Sequence, residues 1–593
     1  MGRAAAGGAV AAARRADRAI ARAPLYLPAM SSRIHPGAEA PAIAARLAAW
    51  RSGGVAARLA ARDAALWTDA GIADTPGDPI AGRLGWVDLP ASSRADVPGW
   101  RALARDALDD GVAHVVLLGM GGSSLGAEVL VRCLAPASGA PRLVVADSTH
   151  PAFVRAIDAA VDPAAAWYLA ASKSGTTVET TAHLAHAVAG LAAHVDRPWS
   201  RVVAITDPGT PLAAQARSQG GRAVVDGRPD VGGRFSALSA FGLLPAALCG
   251  VDVAAVLDGA AAGRAALASG DGAGDDDRGA LADASGVALG AALGEWAAAG
   301  RTTLALVAAP GAEAVPGWIE QLVAESLGKG GRGLFVRTLA AAPAPAEARA
   351  DEVLVAITAG RDGARGGDIV RRGGEVDRRA AAQAAAGRPV VVESIDGAAA
   401  LGGLLFRWEV ATALAATVLG VQPFDQPDVE SAKRLARDAM ARRAASAAVF
   451  APAADATAGS VADVDRVAAA WLAGLPPGAQ IAVQAYLPPS PAVDDALAAL
   501  AERLASRSGA PVAVGYGPRY LHSTGQLHKG GPPTVRCLQL VDASLGRDGG
   551  DDVPVPGAGY TFGQLCAAQA AGDAAALRAV GRAPFVVALQ AGA

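Results

Sequence analysis

Ser172-Lys173-Ser174-Gly175-Thr176-Thr177 stands between a short apolar run, Trp167-Tyr168-Leu169-Ala170-Ala171, and a proline-free stretch of good helix formers from Val178 to Leu191. The first run has strand character and the second predicts a helix. A strand, a loop of small hydroxyl residues and a helix N-terminus together make a seat for an anion. The first backbone N–H groups of a helix have no internal partner, and the helix dipole is positive at that end. Ser172, Ser174, Thr176 and Thr177 add neutral donors, Gly175 lets the backbone approach closely, and Lys173 supplies charge. The plain alternative is a capping loop with surplus hydroxyls. The word lacks the Gly-Lys-Ser/Thr ending of a nucleotide-binding P-loop, so the expected ligand is a phosphate that is not a nucleotide's.

Around this stretch, strands and helices alternate. Val115–Leu118, Leu143–Val145, Trp167–Ala171, Val202–Ile205 and Ala223–Val225 are short apolar runs, mostly separated by alanine-rich helical segments. A second series follows at Thr303–Val307, Leu334–Val336, Val353–Ile357 and Val390–Val392, and a third at Ile481–Ala485, Val512–Val514 and Val535–Leu540. Alternation of this kind implies an α/β fold with mainly parallel sheets covered by helices. The expected divisions are an Ala/Arg-rich N-terminal extension over 1–45, a first αβ domain over 46–265, a second over 280–440 and a C-terminal αβ segment over 465–593. Residues 269–279 and 441–465 read as linkers.

With 593 residues, 52% hydrophobic and 18% charged, the chain can bury more than one core. A net charge of −3 argues against nucleic acid or an anionic membrane as the main partner, and no run of eighteen strongly apolar residues suggests a membrane span. Four scattered cysteines form neither a metal-ligand spacing nor a disulfide framework, which fits a reducing cytoplasm. Lysine occurs only at 173, 329, 433 and 529 in a chain whose Lys and Arg total 53. A lysine kept against such arginine usage suggests a place for a compact, rotatable ammonium.

Several further words carry chemistry. Gly119-Met120-Gly121-Gly122-Ser123-Ser124-Leu125-Gly126 follows a strand directly, but serine at 124 breaks the dinucleotide pattern. Gly122 and Ser123 serve better as a second wall of the same phosphate site. Gly232-Gly233-Arg234-Phe235-Ser236 places an arginine where it can face a developing oxyanion. Gln321 and Glu325, four apart, share a helical face. Apolar neighbours would make Glu325 a usable general base, and the alternative is a solvent-facing pair with Lys329. Pro423-Phe424-Asp425-Gln426-Pro427 reads as a turn running toward Lys433, with a structural turn as its default. Leu521-His522-Ser523-Thr524-Gly525-Gln526-Leu527-His528-Lys529-Gly530-Gly531 sets two of eight histidines in a glycine-rich loop. His183, His186 and His194 have no acid or thiol at ligand spacing and read as a solvated helix face.

Taken together, these words resemble the phosphoglucose isomerase family, which is built from two sugar-isomerase (SIS) αβα sandwich domains. The resemblance covers Gly119–Gly126, Ser172–Thr177, Gly232–Ser236, Gln321–Lys329 and Asp425–Lys433, in family order. The His522–Gly531 word and the region of Trp67 look more like the isomerase half of bacterial bifunctional transaldolase/phosphoglucose isomerase proteins. The resemblance implies phosphate contacts from Ser123, Ser172, Ser174 and Thr177, and a proton-transferring base at Glu325. It further implies enediolate stabilisation by Arg234, sugar contacts from Gln321 and Gln426, and ring opening assisted by Lys433 and a histidine. His522, which precedes Gln526-Leu527 with the family's spacing, is the first choice for that histidine and His528 the second, although the family's histidine segment usually precedes the lysine segment and here follows it. The expected protein is a cytoplasmic aldose–ketose isomerase of glucose 6-phosphate and fructose 6-phosphate. It needs no cofactor or metal, and a homodimer is possible. The alternatives are a dual phosphoglucose/phosphomannose isomerase and a non-catalytic SIS sugar-phosphate sensor.

Overall fold

The computed structural model describes residues 32–134, 136–270, 273–275, 280–359, 367–428, 453–547 and 552–590. Lys433 and residues 441–452 lie outside them. Three sheets organise the described residues. The first is wholly parallel, in the order Arg142–Val145, His114–Gly119, Ala166–Ala171, Val202–Thr206, Ala223–Asp226. The chain leaves His114–Gly119 to one side and returns to the other, so the strand order reverses between His114–Gly119 and Ala166–Ala171 while all strands stay parallel. Crevices at such reversals, outside the carboxyl ends of the strands, are where open α/β sheets take ligands. The Gly119 and Ser172 words both emerge there.

The second sheet has a parallel core, Phe335–Leu339, Thr303–Ala308, Glu352–Ala359 and Val390–Ile395. Three strands extend it antiparallel to their neighbours: Ser32–His35, Leu281–Asp283 and Ala273–Asp275. Residues 32–45 are therefore not a loose extension. Ile34 is fully buried, pairs with Val391 and Leu281, and is followed by the helix Ala40–Ser52 with Ile43 and Leu47 against the core. The run is short, and its Arg/His content hid its strand character. The expected linker around 269–279 likewise carries the strand Ala273–Asp275, and the one expected over 441–465 carries Ala456–Ala458. The third sheet is parallel, in the order Ala456–Ala458, Phe585–Leu589, Val535–Asp542, Gln480–Tyr486, Val512–Tyr516.

The helix Gly397–Leu419 follows the second sheet's strand Val390–Ile395 and packs on the helices Val253–Ser269 and Val287–Ala298. Glycines set the spacing of the first pair. A Cβ at Gly259 would stand 1.7 Å from the Ala399 carbonyl oxygen, and one at Gly402 would stand 1.8 Å from that of Val256. By length and composition the Gly397 helix could cross a membrane, yet 89% of its most apolar window is buried inside the fold. Within it, Arg407 is balanced by Glu393 at 2.5 Å, which also accepts from Trp408 Nε1 at 2.9 Å.

Glu409, in the same helix, is fully buried, and neither carboxyl oxygen has a hydrogen-bond partner among the described residues. Burial pushes its pKa well above the ordinary carboxylate value. The folded state then keeps a proton that the unfolded chain releases above about pH 4.5, so this group lowers stability as pH rises. Glu409→Met is expected to raise Tm, and the gain in thermal melts should grow from pH 4 to pH 8.

Candidate active site

Gly121 and Gly122, in the turn after the first strand of the first sheet, are the points of closest approach. Gly121 has φ +53, and a Cβ there would fall 2.2 Å from the His522 carbonyl oxygen and 2.8 Å from Gln321 Nε2. A Cβ at Gly122 would fall 2.1 Å from the Gly233 carbonyl oxygen. Only glycine lets the three backbones meet so closely. Ser123 ends the same 3-10 turn with its side chain part-buried.

Opposite lies the helix Val315–Leu327, started by Pro316 in its first turn and buried along most of its length. Gln321 Nε2 donates to the His522 carbonyl at 2.7 Å and to Glu325 Oε2 at 3.2 Å. Glu325 is 4% exposed and has Arg234 Nη1 3.5 Å from its Oε1. Arg234, 1% exposed, is fixed by the rest of its fork: Nε donates to Ser326 Oγ at 2.7 Å, and Nη2 to the carbonyls of Pro423 and of Asp425, the latter at 3.1 Å. Burial lowers its pKa, and the charges of Glu325 and Asp425 oppose that shift. Lys329 does not meet Glu325 at the surface. It is buried and donates to Asp425 Oδ1 at 2.7 Å and the Gln422 carbonyl at 2.5 Å. Gln426, next to Asp425, keeps a part-buried side chain on the same turn.

In the Ser172 loop, Gly175 adopts φ +67, Ser172 Oγ and Thr177 Oγ1 are 2.8 Å apart, and Ser174 Oγ and Thr176 Oγ1 are 2.9 Å apart. Thr177 is the N-cap of the helix Val178–Leu191, yet its side chain makes no capping bond. The hydroxyls bond to one another and to the loop's own backbone, Ser172 Oγ accepting from the Thr177 N–H at 3.4 Å and Ser174 Oγ from the Thr176 N–H at 3.3 Å, while no side chain caps the helix N-terminus itself. Lys173 departs from expectation. Its ammonium is held by Asp207 at 2.6 Å and the Arg228 carbonyl at 2.7 Å, because a largely buried cation needs a counter-charge.

The circle closes through His522. Its Nε2 lies 2.9 Å from Oε1 of Glu179, in the first turn of the helix that follows the Ser172 loop. Contacts therefore run from the hydroxyl loop through Glu179, His522, Gln321, Glu325, Arg234 and Gly233 back to Gly122. Glu179 was not legible as a functional residue, since an acid in a first helical turn also serves the helix dipole. His528 is not part of this circle. It is buried in the third block, 3.1 Å from Gln484 Nε2 and packed on Tyr520, and burial with Lys529 and Arg582 nearby lowers its pKa to about 3. His183 is also buried rather than solvated, 3.0 Å from the Ser148 carbonyl, with its pKa lowered by burial to about 4. His186 pairs with Asp158 at 3.0 Å, and among the described residues no group of acids, histidines and cysteines could hold a metal ion.

A phosphoglucose isomerase family model matches residues 98–268. The glucose-6-phosphate isomerase of Rubrobacter xylanophilus is 31% identical over 399 residues, covering 60% of this chain and 89% of the relative. This chain belongs to the phosphoglucose isomerase family. Membership makes it a sugar-phosphate aldose–ketose isomerase. A crystal structure of a hypothetical protein from Thermus thermophilus aligns with a TM-score of 0.55 and 27% identity, over 69% of this chain and all of that one. A glucose-6-phosphate isomerase structure from Chlamydia trachomatis aligns with a TM-score of 0.50 at 16% identity, over 65% of this chain and 86% of that one, and bears on the fold alone. The sandwich fold of this phosphoglucose isomerase family member is thus of the expected α/β, SIS-like kind. Its C-terminal αβ segment brings the His522 loop to Gln321 and Glu325 within a single chain.

Proposed function

We propose that this protein interconverts glucose 6-phosphate and fructose 6-phosphate through a cis-enediolate, with Glu325 as the base. The observation that carries the reading is the buried pairing of Glu325 with Arg234 at 3.5 Å, joined through shared contacts to a hydroxyl-lined helix N-terminus. A proton next to a carbonyl is weakly acidic, so its removal calls for a carboxylate base and a cation at the oxygen where charge develops. Glu325 takes the proton from C2 of the aldose, the electron pair moves toward the carbonyl oxygen, and Arg234 meets the resulting negative charge. The same carboxyl then delivers the proton to C1 while the O2 hydroxyl proton passes to O1, which leaves the ketose carbonyl at C2. Ser123, Ser172, Ser174, Thr176 and Thr177 hold the phosphate, while Gln321 and Gln426 contact the sugar. His522, backed by Glu179, opens the ring, and Lys433 assists by the family resemblance.

The test is turnover in tritiated water. A proton parked on a carboxylate exchanges with solvent, so tritium is expected at C2 of glucose 6-phosphate formed from fructose 6-phosphate. Product free of label would overturn the glutamate route.

A further inference from the structure

Neither side chain of the His522–Glu179 pair is fixed by its own element alone. Glu179 and the loop that carries His522 are both gripped from the helix Phe562–Ala579, on which Gln569 and Asp573 stand one turn apart and so share a face. Both are buried, at 3% and 1% exposure. Gln569 Nε2 donates to Glu179 Oε1 at 2.6 Å, the same oxygen that lies 2.9 Å from His522 Nε2. The Gln569 amide is itself oriented by Thr149 Oγ1, which donates to its Oε1 at 2.8 Å. One turn further, Asp573 Oδ2 accepts from the Tyr520 hydroxyl at 2.6 Å, and its Oδ1 pairs with the Lys529 ammonium. Lys529 also donates to the Gly525 carbonyl at 3.4 Å. Asp573 thereby clamps the loop carrying His522 from both sides of that residue.

We propose that Gln569 and Asp573 are positioning residues for the His522–Glu179 pair, the first aiming the carboxylate and the second fixing the loop that bears the imidazole. The proposal rests on the reading of His522 as the group that opens the sugar ring. Sharing one carboxylate oxygen between an amide N–H and an imidazole N–H holds the ring proton on Nε2. Nδ1 is then the nitrogen that exchanges a proton with the sugar.

The experiment is a double-mutant cycle on kcat and KM with the full chain. Q569L is expected to lower kcat about tenfold with KM within about twofold, and to have no further effect in an H522N background. Y520F, which removes the hydroxyl that donates to Asp573 and also lies 3.0 Å from the Tyr486 hydroxyl, is expected to lower kcat about threefold and to be silent in the same background. Equal losses in both backgrounds would overturn the proposal, because a residue that merely maintains the fold acts whether or not His522 is present. Wild-type kcat in both Q569L and Y520F would overturn it as well. An H522N protein with undiminished kcat would instead remove the ring-opening reading beneath it. Should Q569L not fold, Y520F alone carries the cycle, and the same outcomes support or overturn the proposal.

Discussion

Glu325→Gln is expected to lower kcat by about 10³–10⁴-fold and to leave KM within a few fold. Glutamine keeps the length of the side chain and can still engage Gln321, so the helix face remains filled. What disappears is the basicity, and only proton transfer uses that. The substitution also leaves Arg234 without its counter-charge 3.5 Å away, so a thermal melt should accompany the kinetics to separate lost chemistry from lost fold. Near-normal turnover in a folded variant would remove Glu325 from the role of base.

The second large effect is expected from Arg234→Lys, at about 10²–10³-fold in kcat, the range for removal of one donor to a developing oxyanion. Charge is conserved in this exchange, so the loss would come from geometry. The arginine spends Nε on Ser326 and Nη2 on the Pro423 and Asp425 carbonyls, which leaves Nη1 aimed toward Glu325. A lysine ammonium is one point on a flexible stem and cannot hold those carbonyls while also facing the reacting oxygen. A folded R234K enzyme with kcat within about threefold of wild type would show that bulk positive charge suffices.

Much of this was legible because the strands that build the first sheet are short apolar runs followed at once by glycine or hydroxyl turns. Val115–Leu118 and Trp167–Ala171 fall inside the observed strands, and their reversal point puts the two turns together. For Glu325 and Arg234 the residues alone left a surface ion pair and an ordinary arginine open, and the roles expected of them came from the family resemblance. The partners that hold them in place were not legible. Ser326, the Pro423 and Asp425 carbonyls and Glu179 lie far along the chain from the groups they orient, and nothing local marks them. Ser32–His35 escaped because a four-residue strand with two basic side chains has too little pattern to show. The lysines were informative in a different way from the one expected. Lys173, Lys329 and Lys529 each hold one aspartate, at Asp207, Asp425 and Asp573, so the compact ammonium serves interior charge pairs.

Glu325 and the histidine loop meet within one polypeptide, Gln321 Nε2 reaching both the Glu325 carboxylate and, at 2.7 Å across 201 positions of sequence, the His522 carbonyl. Two copies damaged in different places have nothing to lend each other. An E325Q chain co-expressed with an H522N chain is expected to give mixtures no more active than the sum of the separate variants, whatever assemblies they form. In a cell carrying both alleles, neither would rescue the other.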